Sequence, residues 1–340
     1  NKKNDLYFFE KEHNSAWYYF NVMYDGDLVL EITPSKSDDD YDFLLFKWTD
    51  SSFCRNLVSK KTLPVRTNLA RTGKDDNGVT GLSGFSDKEF IHAGPGKTFS
   101  KSLPVKKGER YYLVLDNVYH DGGGHIIKLG YEKEVQINGI ILNDDNQPIK
   151  AEVILADEKG KEVAKTESDS ITGKYNMTVK LWESAPYTIS FENDSFFIDS
   201  KQITTDYKLN DIKTVLPKLK GGKKYTLGGI NFYGNLPVLL PESHASVNAL
   251  YRLMKKNKNM VIRIEGHVND PNFTSEPAFR QELSEHRATT IYNYLVSRNI
   301  AKERMSIIGF GNKYMLYPHP KNEEEEGKNM RVEINVISIK

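Results

Sequence analysis

Apolar positions along this chain change their spacing twice, and the changes divide it into three segments. In the first segment they fall in short runs or at every second residue, the period of strands whose side chains alternate between two faces. Residues 17–24 make an aromatic, β-branched run, Asp25-Gly26 supplies a hairpin turn, and residues 28–32 follow as the second strand. Residues 41–48 and 111–116 read as further strands, and a Gly-rich turn is expected over 120–125. With long polar loops and no helical period, residues 1–132 are expected to form an all-β sandwich, jelly-roll-like in kind.

The second segment, residues 134–215, keeps the period of two in shorter pieces. A strand over 135–142 meets the turn Asn143-Asp144-Asp145-Asn146, and Pro148 precedes a strand through Val153 and Leu155. Glu158-Lys159-Gly160-Lys161 is another turn. Gly173 then opens a strand with Tyr175, Met177 and Val179 on one face, and Tyr187, Ile189 and Phe191 repeat the pattern. Several short strands at this spacing predict a small Ig-like sandwich.

Residues 216–228, with Lys218, Lys220, Gly221-Gly222, Lys223 and Lys224, read as a solvated linker. Beyond them strands alternate with helices. Residues 230–233 are expected as a strand and 241–257 as a helix with Val247, Leu250, Tyr251 and Met254 on one face. A strand over 260–265, a helix over 276–298 with Pro277 in its first turn, and strands over 305–310 and 331–338 complete the order βαβαββ. Residues 229–340 are thus an α/β sandwich, and the fold class is multidomain.

Length supports this division, since 340 residues suggest about two or three domains. Hydrophobic residues make up 38% and charged residues 27%, and no run approaches the roughly 18 apolar residues of a spanning helix. Lys and Arg number 47 against 46 acidic residues, a net charge of +1, and the lysines are scattered, so no nucleic-acid partner is expected. Cys54 is the single cysteine, which excludes an internal disulfide and a cysteine-based zinc site. Residues 1–5 are polar and carry no signal peptide; an exported protein would have lost it before this numbering begins.

The third segment resembles the OmpA-like family along its whole length. The residues that carry the likeness are Ile230-Asn231-Phe232, Ile264-Glu265-Gly266-His267, Leu283-Ser284-Glu285-His286-Arg287-Ala288, Gly309-Phe310-Gly311, and Lys328-Asn329-Met330-Arg331-Val332-Glu333-Ile334. The resemblance implies binding to the peptide stem of peptidoglycan through its diaminopimelate. In that family the aspartate closing a Gly-His-Thr-Asp motif takes the amine, and the arginine of Leu-Ser-x-x-Arg-Ala takes the carboxylate, for which a guanidinium fork is well shaped. The arginine corresponds to Arg287, whose helical neighbours Leu283, Ser284, Thr290 and Ile291 include no carboxylate. The aspartate is replaced: Val268-Asn269 stands where the family has Thr-Asp, and Asp270 is the next acid that could meet the amine. Arg280 occupies a position where the family often has asparagine. His267 is expected to be structural.

The middle segment resembles the carboxypeptidase regulatory-like domain, a non-catalytic transthyretin-like or Ig-like fold, through Asn138-Gly139, Gln147-Pro148-Ile149, Ala151-Glu152-Val153 and Gly173-Lys174-Tyr175. The first segment is similar to a β-sandwich of exported proteins in gliding, type IX-secreting bacteria. The likeness rests on His13-Asn14-Ser15-Ala16-Trp17-Tyr18, Asp40-Tyr41-Asp42-Phe43, Val65-Arg66-Thr67-Asn68-Leu69-Ala70-Arg71 and Thr80-Gly81-Leu82-Ser83.

Other constellations change little. Gly94-Pro95-Gly96-Lys97-Thr98 has the tail of a phosphate-binding loop, but Ile91 replaces the required glycine and Leu103-Pro104 leads into a strand rather than a helix. The chain carries neither a His-Glu-x-x-His motif nor a Gly-x-Ser-x-Gly elbow, and an enzyme is not expected. Asp38, Asp39, Asp40 and Asp42 gather oxygen donors that could hold Ca²⁺, with Asp38, Asp40 and Asp42 as ligands and a solvated loop as the plainer reading. No other cofactor is expected. Residues 323–326, four glutamates, are expected as a solvated loop. The reading is a periplasmic adaptor associated with the outer membrane. Its partners would be the peptidoglycan stem and proteins of the outer membrane or of a secretion or motility complex. The alternative is a protein–protein subunit whose OmpA-like fold no longer binds the wall.

Overall fold

Strand Tyr41–Lys47 explains why the first segment folds as layers. Tyr41, Phe43 and Leu45 pack into a core with Leu28, Leu30, Ile32, Leu82, Leu113 and Leu115. Leu44 and Phe46 point the other way, into a smaller cluster with Phe53, Leu69 and Val114. Both faces are covered, so Phe43 to Phe46 read as an unbroken apolar run. In this computed structural model, which describes residues 5–71, 77–119, 122–183, 185–205, 209–273 and 275–339, the strand is central to a five-stranded sheet. That sheet has the order Ser15–Asn21, Arg110–Asn117, Tyr41–Lys47, Arg66–Arg71, Phe90–Pro95. A second sheet faces it, built on Gly26–Pro34 and the first part of the long strand His125–Asn143. The aromatic run expected over 17–24 ends as a strand at Asn21. The turn expected over 120–125 lies partly outside the described residues.

By packing, Asn1–Glu134 with Lys180–Glu183 form one unit, and Val135–Val179 with Ser184–Lys340 form the other. The second unit begins with open β sheets. One has the order Glu162–Glu167, Glu152–Ala156, Pro186–Glu192, Asp199–Thr204, and the later part of His125–Asn143 pairs in parallel with Ile212–Leu216. Tyr175, Met177 and Val179 are buried while Asn176 and Thr178 are exposed, as the period of two requires.

The remainder of this unit is built from β1 (Lys223–Thr226), α1 (His244–Lys256), β2 (Val261–Gly266), α2 (Pro277–Ser297), β3 (Met305–Gly309), α3 (Glu323–Asn329) and β4 (Val332–Ser338). The sheet order is β1-β4-β2-β3, with β2 and β3 parallel and the other neighbours antiparallel. The buried faces of α1 and α2, among them Val247, Leu250, Met254, Ala288, Ile291 and Leu295, meet Ile262, Ile264, Ile334 and Val336 from the sheet. Among the described residues no helix is long and apolar enough to cross a membrane.

Three expectations are corrected here. The segment 216–228 is not an open linker: Lys223–Thr226 is β1 and pairs with β4. Its lysines lie on an edge strand, where charge blunts further pairing, while Tyr225 is buried and stacks on Phe197 with ring centroids 4.4 Å apart. Residues 230–233, expected as a strand, contribute one isolated bridge between Phe232 and Leu239, because Gly229 turns the chain at a φ of 67°. Glu323, Glu324 and Glu326 are exposed and Glu325 is half-buried, but the four form the first turn of α3. Asn322 caps that helix by accepting from the Glu325 amide at 2.9 Å, and negative charge suits the positive end of a helix.

Candidate functional site

Strands β2 and β3 end in glycines because α2 lies directly on their backbones. A Cβ at Gly266 would collide with the Ser284 carbonyl oxygen, and one at Gly309 with the Ser284 hydroxyl. Ser284 is fully buried; its hydroxyl donates to the Gln281 carbonyl at 2.8 Å and accepts from the Gly311 amide at 2.9 Å. This seam fixes α2 against the loops that follow both strands. It thereby fixes Arg280 and Arg287, two turns apart on the helix, and brings Arg280 against Asp270 in the loop that follows β2.

Arg287 is 5% exposed and has its guanidinium 5.0 Å above the centre of the Phe232 ring. Its Nε donates to the Leu236 carbonyl at 3.3 Å, and among the described residues no carboxylate pairs with it. Burial without a counter-charge pulls its pKa down from the ordinary arginine value to about 10, so it remains a cation at neutral pH. A buried, positively charged fork with unused donors is built to gain from a carboxylate.

Asp270 does not stand open for an amine. It is 7% exposed, and its Oδ2 accepts from Arg280 Nη1 at 2.9 Å and from the Ser275 amide at 3.0 Å. Arg280 also lies over the Phe273 ring at 5.4 Å, so the pair is packed as well as charged. The amine contact expected at Asp270 is thus corrected: Arg280 already neutralises that carboxylate. Asn269 is half-buried, and its Oδ1 accepts from Asn329 Nδ2 at 2.9 Å.

His267 is buried as expected of a structural residue, tilted against Phe310 with ring centroids 5.4 Å apart and its Nε2 3.5 Å from Glu333. Glu265, His267 and Glu333 bring ligand atoms within 4.8 Å of one another. Lys224 and Arg263 already meet Glu265 at 2.7 and 2.8 Å, and Arg331 meets Glu333 at 2.7 Å. Three cations on two carboxylates leave no charge for a metal, and the group is an internal ion network.

The sequence candidates for Ca²⁺ are not assembled as a ligand set. Asp38 faces solvent, Asp39 and Asp40 are buried, and Asp42 is half-buried on the strand face that carries Leu44 and Phe46. Asp39 Oδ2 accepts from the Gly123 amide at 3.1 Å. Asp42 is instead paired across the sheet with Asp116, a residue the sequence did not single out because it lies on a distant strand. Asp116 accepts from the His13 and Asn14 amides at 2.9 and 2.8 Å and sits 2.9 Å from His13 Nδ1.

A four-stranded sheet covered by two helices, the second carrying a buried arginine, is an OmpA-like arrangement, and residues 231–329 match the OmpA family. Over 89 residues the chain is 37% identical to Outer membrane protein A of Buchnera aphidicola subsp. Schizaphis graminum, covering 26% of this chain and 25% of that protein. The chain therefore spans about a quarter of that relative's length. Among solved structures it is similar to an outer membrane protein from Borrelia burgdorferi B31, with 28% identity, a TM-score of 0.26, and coverage of 34% of this chain and 89% of that one. It is also similar to the peptidoglycan-associated lipoprotein of Burkholderia pseudomallei, with 14% identity, a TM-score of 0.27, and coverage of 31% and 85%. The C-terminal region is OmpA-like.

Proposed function

We propose that this protein is a non-catalytic adaptor of the periplasm, associated with the outer membrane, that grips peptidoglycan through its OmpA-like region. The observation that carries the reading is Arg287, a buried arginine at the motif position with no carboxylate of its own among the described residues. Its ligand is the carboxylate of a peptide stem, in the diaminopimelate position that the family resemblance implies. Asn269 and the Asp270–Arg280 pair are read as the other side of the site, from their place in the family motif. The N-terminal part is read as jelly-roll-like and the middle part as a carboxypeptidase regulatory-like spacer. Together they offer β surfaces to an outer-membrane or secretion-complex partner, in the setting of type IX secretion and gliding.

The test is co-sedimentation of the full chain with purified sacculi. Losing one charged hydrogen-bonding partner weakens such a contact about ten- to a hundred-fold. Arg287→Ala should therefore leave the pellet while its circular dichroism stays that of the wild type. Sedimentation of the variant equal to wild type would place the wall contact elsewhere. A second reading, a protein–protein subunit with a silenced site, is favoured by Asn269 and by the engagement of Asp270. It expects wild type to remain in the supernatant and Asn269→Asp to bind.

A further inference from the structure

An asparagine side chain can show a ligand either its oxygen or its NH₂, and the surrounding hydrogen bonds decide which. Here the decision is anchored on backbone. Asn329 is fully buried; its Oδ1 accepts from the Tyr317 amide at 2.9 Å and its Nδ2 donates to the Tyr317 carbonyl at 2.7 Å. Neither backbone group can exchange roles, so the orientation of the Asn329 amide is fixed. Its second N–H points at Asn269, 2.9 Å away, and the Asn269 atom receiving it must be the oxygen. The Asn269 NH₂ is therefore the group left to meet a ligand.

Charge points the same way. Arg280 and Asp270 cancel, Asn269 is neutral, and Arg287 brings one unmatched positive charge. An ammonium group would meet an N–H donor and a cation, and from Asn269 only an oxygen that Asn329 already engages. An amide carbonyl would meet a donor.

We propose that this site takes a stem peptide whose side-chain amine is acylated, as in a cross-link, and discriminates against the free amine. The inference rests on the cell-wall reading above and adds the chemical state of the stem. The carboxylate beside the acylated amine goes to Arg287, and the amide carbonyl of the cross-link accepts from Asn269 Nδ2. Acylation removes the ammonium charge and leaves that end of the ligand with a single negative charge, matching the single unmatched charge of the site.

The experiment is calorimetric titration of the full chain with three forms of L-alanyl-γ-D-glutamyl-diaminopimelate. One has the side-chain amine free, one has it acetylated to copy the cross-link amide, and one has hydrogen in its place. Wild type should bind the acetylated peptide about tenfold more tightly than the free amine, the gain expected of one hydrogen bond made and one charge conflict removed. The peptide lacking both amine and carbonyl should fall between them. Asn269→Asp keeps the shape and the Asn329 contact, and it should reverse the order so that the free amine binds best. Equal or tighter binding of the free amine by wild type overturns the inference and leaves the cell-wall reading standing. Binding of the third peptide as tight as that of the acetylated one overturns it too, since the carbonyl would then contribute nothing. Binding by none of the three overturns it as well, and sacculus sedimentation then shows whether the cell-wall reading falls with it.

Discussion

Asp42 carries an unusual load for a single side chain. It faces Asp116 across paired strands, and burial, then Asp40, Asp116 and Glu10, push its pKa up to about 8. The folded protein thus holds a proton there that the unfolded chain releases near pH 4. Between those values the native state binds more protons, so stability from this group falls as pH rises and the full penalty applies above about 8. Asp42→Asn should raise the melting temperature at pH 9, by roughly 5 °C or more, and flatten the decline between pH 5 and 8. A melt that keeps the wild-type slope would remove Asp42 from the account. Millimolar calcium should leave the wild-type melt unmoved, because the aspartates are not gathered as ligands. Glu333 has the opposite sign: His267 and then Arg331 hold its pKa down to about 2, a contribution present above the ordinary carboxylate range and lost as pH falls through about 2. At this scale sequence reading found what local spacing encodes. Arg287 was singled out because it stands at the arginine of the Leu-Ser-x-x-Arg-Ala motif, with helical neighbours that lack a carboxylate. The engagement of Asp270 by Arg280 was not, because it depends on how a loop closes over a helix end.

Elements depend on contacts that a motif marks without explaining. Gly266, Gly309 and Ser284 could be seen as pieces of a family pattern, but the reason they are small appears only once α2 rests on the strand ends. Gly309→Ala should cost about 1–3 kcal/mol, the usual penalty for forcing atoms into a packed seam, read as a lower urea midpoint with an unchanged slope. An unchanged midpoint would mean that α2 can lift away at no cost, and the site geometry would then be looser than described. The edge strand β1 was hidden for a different reason. A Lys-Lys-Tyr-Thr sequence has one buried side chain, too few for a period of two to stand out, and lysines on an edge strand resemble lysines in a linker. The long helices, by contrast, carry enough apolar positions to declare their faces.

Over the second unit the core is continuous where the sequence suggested a break. Phe197, Ile198 and Leu219 belong to the same cluster as Tyr225, Leu227, Leu250 and Ile264. Glu192, on strand Pro186–Glu192, holds Arg252 of α1 through two bonds of 2.9 and 2.6 Å. The Tyr225 hydroxyl donates to the Lys218 carbonyl at 2.7 Å and accepts from the Lys220 amide at 2.8 Å, tying the turn before β1 to the sheet. A fragment cut where the alternation of strand and helix seems to begin, at residue 229, therefore lacks the strand that covers β4 and exposes part of the face of Ile334 and Val336. A fragment beginning at residue 216 keeps it. Removing buried Tyr225 and Leu227 together should cost several kcal/mol, at about 1.5–3 kcal/mol for each large side chain. For a fragment of this size, each kcal/mol moves the melting point by roughly 4 °C. Residues 229–340 should melt at least roughly 10 °C below residues 216–340, and limited proteolysis of the full chain should spare Lys223–Thr226. Equal melting points for the two fragments, or first cleavage inside that strand, would show that β1 adds nothing and that the segment behaves as the linker its composition suggests.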